Sequence, residues 1–279
     1  MSVGSRVLYL YGVVPCGQPL PASEGVPLEV VPYSRLAAVV ESVSAMEFAP
    51  EILAQKLQCV DWVAPLARRH TTVLEQVLQH GPVVPARLCT LFSSADALTN
   101  LLAQHEQQFQ DRLSWLEGRQ EWGLKIFCHE DRLRSAISLN DSDVQVLEAA
   151  AAAASPGQAY VIRKQRDGYI AEIVTTRIEE VVDEVLDAFA DVVVEMRLGS
   201  PRSEAATGRR ETMVVNAALL VDIASCSALH TAAGELAALL SPEGFDLELT
   251  GPWPSFSFCD DDNGTRDLSA GDPASREAR

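Results

Sequence analysis

The chain has 279 residues, 47% apolar and 22% charged, with a formal net charge of -17. This is a globular composition, and it excludes collagen-like, wholly disordered and disulfide-miniprotein classes. At roughly 100 to 200 residues per domain, two compact domains are expected. The negative field opposes binding to a polyphosphate, so nucleic acid is not an expected partner. Six cysteines, Cys16, Cys59, Cys89, Cys128, Cys226 and Cys259, stand singly with no C-x-x-C pair, which fits reduced thiols in cytoplasm and not a zinc site.

Residues 6–14 and 36–43 are apolar and β-branched, with a Gly/Pro-rich stretch and a short segment at 28–32 between them; they read as an opening sheet. Residues 7–14 are too short for a signal-peptide core. From Pro50 the period changes, and Leu57, Val60, Ala64, Ala67, Thr71, Leu74 and Leu78 predict an amphipathic helix that ends at Gly81-Pro82. Residues 83–88 return to strand character. A second helix is expected over 94–116, capped by Ser93 or Ser94, with Leu98, Leu101, Leu102, Phe109 and Leu113 on one side.

A second unit opens with the strand 122–128. The alanine run 149–154 and the following Ser155-Pro156-Gly157 fit either a helix or a spacer, with Ser155 able to cap a helix that has Pro156 at its first position. Ile170, Val174, Ile178, Val181, Val185 and Phe189 form a stripe opposite Glu172, Glu179, Glu180, Asp183, Glu184 and Asp187, which predicts a long helix with an acidic solvated face. Strands at 192–198 and 213–221, a helix at 229–240 and a strand at 245–250 complete a β-α-β-β-α-β order, the ferredoxin-like pattern. The apolar run at 214–221 stops at Asp222, short of the roughly 20 residues that span a bilayer. The expected organisation is α+β: a modified ferredoxin-like domain at 1–120, a ferredoxin-like domain at 121–259, and a disordered acidic tail at 260–279.

The chain contains no dinucleotide fingerprint, phosphate loop, nucleophile elbow or H-E-x-x-H motif, so no catalytic residue, metal or cofactor is assigned. His70 follows Arg68-Arg69 on a face shared with Val63, Leu66, Leu74 and Val77, with no visible partner to make it a general base. Cys226 and His230 sit at i and i+4, two ligand types where a zinc site needs more. Asp260-Asp261-Asp262-Asn263-Gly264 departs from a calcium loop in its glycine position and lacks the closing glutamate. Arg202, Arg209 and Arg210 precede a strand and could meet an anion or an acidic partner, or be ordinary loop charge. The segment 247–259 carries Trp253, Phe256 and Phe258 around Gly251, Pro252 and Pro254. The rings either form a recognition surface on a stiff turn or close the core between the domains.

The run L-T-G-P-W-P-S-F-S-F at 249–258 resembles the C-terminal signature of the GvpF/GvpL family of gas vesicle proteins, in which G-P-W-P-P-Y-x-F ends the last strand. Further blocks agree: Tyr9-Leu10-Tyr11-Gly12, residues 70–78 running into Val84-Pro85-Ala86-Arg87-Leu88, Glu121-Trp122-Gly123-Leu124-Lys125, residues 157–164, and 215–222. Pro85-Ala86-Arg87-Leu88-Cys89-Thr90 replaces the usual P-L-R-F-G-T, and Ser255-Phe256 replaces Pro-Tyr. The resemblance implies a non-enzymatic role in building gas vesicles in the cytoplasm, with the small hydrophobic shell protein and other accessory gas vesicle proteins as partners. Trp253, Phe256, Phe258, Arg209 and Arg210 are the expected interaction residues. The competing expectation is an enzyme or small-molecule-binding protein with a pocket near His70, since the ferredoxin-like fold hosts many functions.

Overall fold

The computed structural model describes residues 5–21 and 25–259; the expected acidic tail at 260–279 lies outside them. The chain divides into two compact units, one made of Met1–Glu121 with the chain from Trp253 onward, the other of Trp122–Pro252. The break falls between Glu121 and Trp122, and residues 253–259 cluster with the first unit.

The first unit contains β1 (Arg6–Pro15), β2 (Leu28–Tyr33), β3 (Leu36–Ser44), α1 (Pro50–Lys56), α2 (Val60–Leu78), β4 (Val84–Pro85), β5 (Leu91–Phe92), α3 (Ala95–Gln104) and α4 (Glu106–Leu116). Its sheet runs β2-β3-β1-β4, with β5 also paired to β1, and these pairings are antiparallel. Tyr9, Tyr11, Val14, Ala37 and Val39 pack with Val73, Leu74 and Val77 of α2. The alternate residues Leu10, Val13, Leu36, Ala38 and Val40 are equally buried, because α3 and α4 contact this sheet as well. Covering both faces is why β1 reads as a continuous apolar run. The register of β1 against β3 shifts between Leu10 and Gly12, a bulge that turns consecutive residues toward one face. A Cβ at Gly12 would stand 2.8 Å from both Val83 Cγ2 and the Val84 carbonyl oxygen, so the close approach of β4 requires glycine there.

Two expected helices are divided. Leu57 and Val60, expected on the buried stripe, flank a break between α1 and α2 and are exposed; His70, Val73, Leu74 and Val77 supply the buried face instead. The helix expected at 94–116 breaks at His105, whose φ of -117° and ψ of 20° are non-helical. Its start is as expected, with the Ser94 hydroxyl accepting from the Ala97 N–H at 3.2 Å.

The chain continues through β6 (Arg119–Cys128), α5 (Glu130–Asn140), α6 (Ser142–Ala153), α7 (Pro156–Phe189), β7 (Glu195–Leu198), α8 (Glu204–Thr207), β8 (Thr212–Asp222), α9 (Cys226–Leu240) and β9 (Phe245–Trp253). The second sheet is also antiparallel, in the order β7-β8-β6-β9. The alanine run is the end of α6, which Asp141 starts by accepting from the Asp143 and Val144 N–H groups at 2.9 Å each. Helix α7 has 34 residues and begins at Pro156, well before the expected Ile170. Ile170, Val174, Val181, Val185 and Phe189 of α7 share one core with Leu124 and Ile126 of β6, Val215, Leu219 and Val221 of β8, and Leu229, Ala233, Leu236 and Leu240 of α9. By length and composition the stretch Ile223–Glu243 could cross a membrane, at a mean hydropathy of 1.3. In the fold, α9 lies within it and turns its leucine face into this core. Arg177 joins α7 to the turn before β9, donating to Glu184 at 2.8 Å and Glu243 at 2.5 Å.

Candidate functional site

Strand β9 ends in the proline-flanked turn. Gly251 has φ 142°, the left-handed region open to glycine, and the Gly251-Pro252 peptide is cis. Beyond it the three rings part company. Trp253 keeps 37% of its surface exposed. Phe256 packs against the core of the first unit, 6.2 Å from the His70 ring. Phe258 is fully buried, 6.2 Å from Trp115. The expectation that Phe258 presents itself to a partner is therefore corrected. A one-turn 3₁₀ segment, Phe256–Phe258, swings the chain inward. Polar anchors hold it there: Glu121 accepts from the Ser257 N–H at 3.0 Å and the Ser257 hydroxyl at 2.7 Å, and Arg112 donates to the Phe258 carbonyl at 2.8 Å.

Beneath Phe256 lies a buried polar network. His70 is 3% exposed; its Nε2–H donates to the Ala86 carbonyl at 3.0 Å and its Nδ1 accepts from the Tyr9 hydroxyl at 2.9 Å. The Tyr9 oxygen accepts in turn from the Cys89 N–H at 3.3 Å. Burial pushes His70 down to about 4 and raises both Tyr9 and Tyr11 well above the usual phenol range. Tyr11 stacks on His70 at 5.4 Å and donates to Glu41 at 2.9 Å, and Arg69 donates to the other Glu41 oxygen. With both ring nitrogens occupied, His70 orients core residues and has no lone pair left to act as a base. A cavity of about 460 Å³ next to this network is lined by Arg6, Glu41, Glu47, Phe48, Asp61, Trp62 and Arg69, and His70 is not among its lining residues.

Arg209 is also corrected as a residue waiting for an acidic partner, because the chain supplies the carboxylates. Its guanidinium donates to Glu211 at 3.0 Å, to Asp246 at 2.8 Å and to Glu248, and lies 4.1 Å over the Phe127 ring. His129 donates to the same Asp246 at 2.7 Å. These hydrogen bonds hold the Asp246 and Glu211 carboxyls below their usual range, the one from His129 leading for Asp246 and the one from Arg209 for Glu211. Arg210 is exposed and makes no ion pair among the described residues. His230 spends Nδ1 on the Cys226 carbonyl at 2.9 Å, and its ring stands edge-on to Trp122 at 4.9 Å. The described residues hold no cluster of three or more metal-ligating side chains.

The sequence pattern missed a set of exposed apolar side chains between the end of β3 and the start of α2. Met46 and Val60 are each 76% exposed, and Ile52 and Leu57 are exposed too. Trp62 follows them, with the Lys56 ammonium 5.0 Å over its ring. The helical period placed Leu57 and Val60 in the core, and the break before α2 is what turns them out.

These features define a mixed α/β protein with exposed apolar side chains before and at the start of α2 and a buried His70–Tyr9–Tyr11–Glu41 network. Residues 7–260 match the family described as gas vesicle synthesis protein GvpL/GvpF. A gas vesicle protein L from Streptomyces sp. (strain CB03234) is 28% identical over 265 residues, covering 91% of this chain and 92% of its own. Gas vesicle protein L2 of Halobacterium salinarum is 26% identical over 240 residues, covering 84% and 82%. The crystal structure of the gas vesicle protein GvpF from Anabaena sp. PCC7120 superposes with a TM-score of 0.66 at 17% identity, over 93% of this chain and 98% of that one. The chain belongs to the GvpL/GvpF family of gas vesicle synthesis proteins.

Proposed function

We propose that this protein is a non-enzymatic accessory of gas vesicle formation, acting in the cytoplasm at the growing vesicle, and that it binds the small hydrophobic shell protein there together with other gas vesicle proteins. The observation that carries this reading is the exposure of four large apolar side chains within fifteen residues, Met46, Ile52, Leu57 and Val60, on a chain of net charge -17. An apolar subunit awaiting assembly needs its surface covered, and side chains of this kind can cover it while the acidic remainder keeps the complex dispersed. Trp253 is a second contact point, a ring held by the prolines on either side and still solvent-accessible. Two observations support a binding role over an enzymatic one: His70 is committed to Tyr9 and Ala86, and the nearby cavity is lined without it. The strand order β7-β8-β6-β9 around the β6–β9 run supports a ferredoxin-like reading of the second unit, with α5 and α6 added before the usual first helix.

The test is binding of purified shell protein by the wild type and by Val60→Asp and Trp253→Ala. Each substitution is expected to weaken the complex by about 2 kcal/mol, the scale of a hot-spot residue, with the melting temperature little changed for Val60→Asp, whose side chain is 76% exposed. Wild-type affinity in both variants refutes the assignment of this surface. Loss of vesicles on deleting the gene, seen by microscopy, checks the role itself.

A further inference from the structure

Between the first half of α2 and the end of β3, the first unit leaves open the cavity of about 460 Å³ that borders the His70 network. That volume falls in the range of small-ligand clefts, about 300 to 1,000 Å³. Its floor is apolar: Val43 and Phe48 are buried, and Trp62, Pro65 and Leu66 come from α2. The Trp62 ring stands edge-on to Phe48 at 6.1 Å and carries the Lys56 ammonium at 5.0 Å. An aromatic ring already held in place loses little freedom when a ligand packs on it.

Five charged residues line the cavity: Arg6, Glu41, Glu47, Asp61 and Arg69. Arg69 and Glu41 neutralise each other, and the second Glu41 oxygen accepts from the Tyr11 hydroxyl. Arg6, Glu47 and Asp61 make no ion pair among the described residues. Arg6 donates only to uncharged acceptors, from Nε to the Ser42 hydroxyl at 2.7 Å and from its terminal nitrogen to the Ser42 carbonyl. The three open charges come from different elements. Arg6 begins β1, paired in register with Ser44 of β3; Glu47 lies in the turn after β3, and Asp61 in the first turn of α2. Asp61 precedes Arg69 by eight residues, so roughly 12 Å of helix separates the open carboxylate from the closed ion pair. Strand and helix thus bring opposite charges to one apolar floor. A purely cationic ligand would be repelled by Arg6, and a purely anionic one by Glu47 and Asp61. We propose that the cavity binds a small zwitterion with an apolar body, an amino acid or a dipeptide. Its carboxylate takes the remaining donors of Arg6, its ammonium meets Asp61 and Glu47, and its side chain packs on Trp62, Phe48 and Leu66. The proposal goes beyond the shell-protein reading and does not rest on it, since neither Trp253 nor any of Met46, Ile52, Leu57 and Val60 lines the cavity.

The experiment is an NMR titration of the full chain, read at the Trp62 indole N–H resonance, which Trp62→Phe assigns. The probes are leucine, phenylalanine and leucyl-leucine, with leucinamide and N-acetylleucine as ligands that keep only the positive or only the negative charge. The zwitterions are expected to move the resonance saturably, and each single-charge ligand to bind about tenfold weaker than leucine or more. Arg6→Gln should bring leucine down to the affinity of leucinamide and leave leucinamide itself unchanged. Asp61→Asn should weaken leucine and leave N-acetylleucine unchanged. The ratio of leucine to leucyl-leucine affinity tells an amino-acid site from a dipeptide site. No saturable shift with any of the three zwitterions up to about 20 mM overturns the proposal. Leucinamide or N-acetylleucine binding as tightly as leucine also overturns it, since the cavity would then recognise a single charge.

Discussion

Falling pH should weaken the fold at His70, which is buried as the neutral ring. In the folded protein the neutral ring donates from Nε2 to Ala86 and accepts at Nδ1 from Tyr9. Protonation would place a second N–H against a hydroxyl that already accepts from Cys89. Tyr11 above the ring is neutral, and the Glu41 carboxylate that it binds is paired with Arg69. Burial lowers the folded value from 6.5 to about 4, so between those limits the unfolded chain binds a proton that the native chain refuses. The stability contributed by neutral His70 is complete above pH 6.5 and is lost as pH falls toward 4. The gap corresponds to about 3 kcal/mol, lost at up to about 1.4 kcal/mol per pH unit. Carboxylates contribute their own pH dependence in acid, so the informative quantity is the difference between wild type and His70→Gln, which keeps a donor for Ala86 and an acceptor for Tyr9 but cannot titrate. Urea unfolding of both from neutral pH downward should show the wild type losing about 3 kcal/mol relative to the variant. Parallel stability curves would refute the reasoning and mean that His70 accepts its proton in the folded state.

Other perturbations test the same structure. Phe258→Ala should cost roughly 3 to 5 kcal/mol in denaturant unfolding, the range for emptying a fully buried aromatic site; a loss near zero would return Phe258 to the surface. Gly12→Ala should cost about 1 to 3 kcal/mol, because its methyl group must displace Val83 or the Val84 carbonyl. Arg209→Ala should lower the melting temperature at neutral pH by leaving Glu211, Asp246 and Glu248 facing one another. That loss should shrink as pH falls through the depressed carboxyl values, since protonation removes the repulsion that the arginine had been compensating.

Periodicity located most elements because burial on one face leaves a trace in the residue order. β1, β3, β8, the core-facing half of α7 and α9 each bury apolar side chains at their own spacing, and each lies where that spacing places it. The breaks were invisible for a related reason. Across His105 the buried residues pass from Leu98 and Leu102 to Phe109 and Leu113 in phase, so the stripe continues although the backbone does not. The first turns of α7 show no stripe because their apolar residues do not share a buried face: Ala159 is buried while Tyr160 and Val161 are exposed.

The amino-acid sequence by itself determined the α+β class, the core faces of the long elements, the proline-stiffened aromatic turn and, through that turn and its companion blocks, the family. These are local quantities, carried by composition, spacing and backbone chemistry. Only the tertiary structure decided which aromatic ring stays outside, because Trp253, Phe256 and Phe258 are alike in chemistry and differ in what Glu121 and Arg112 anchor beneath them. It likewise decided that Arg209 is occupied and that Leu57 and Val60 face solvent. Each of those outcomes depends on groups distant in the chain or on a break in a helix, and neither leaves a mark at the residue it affects.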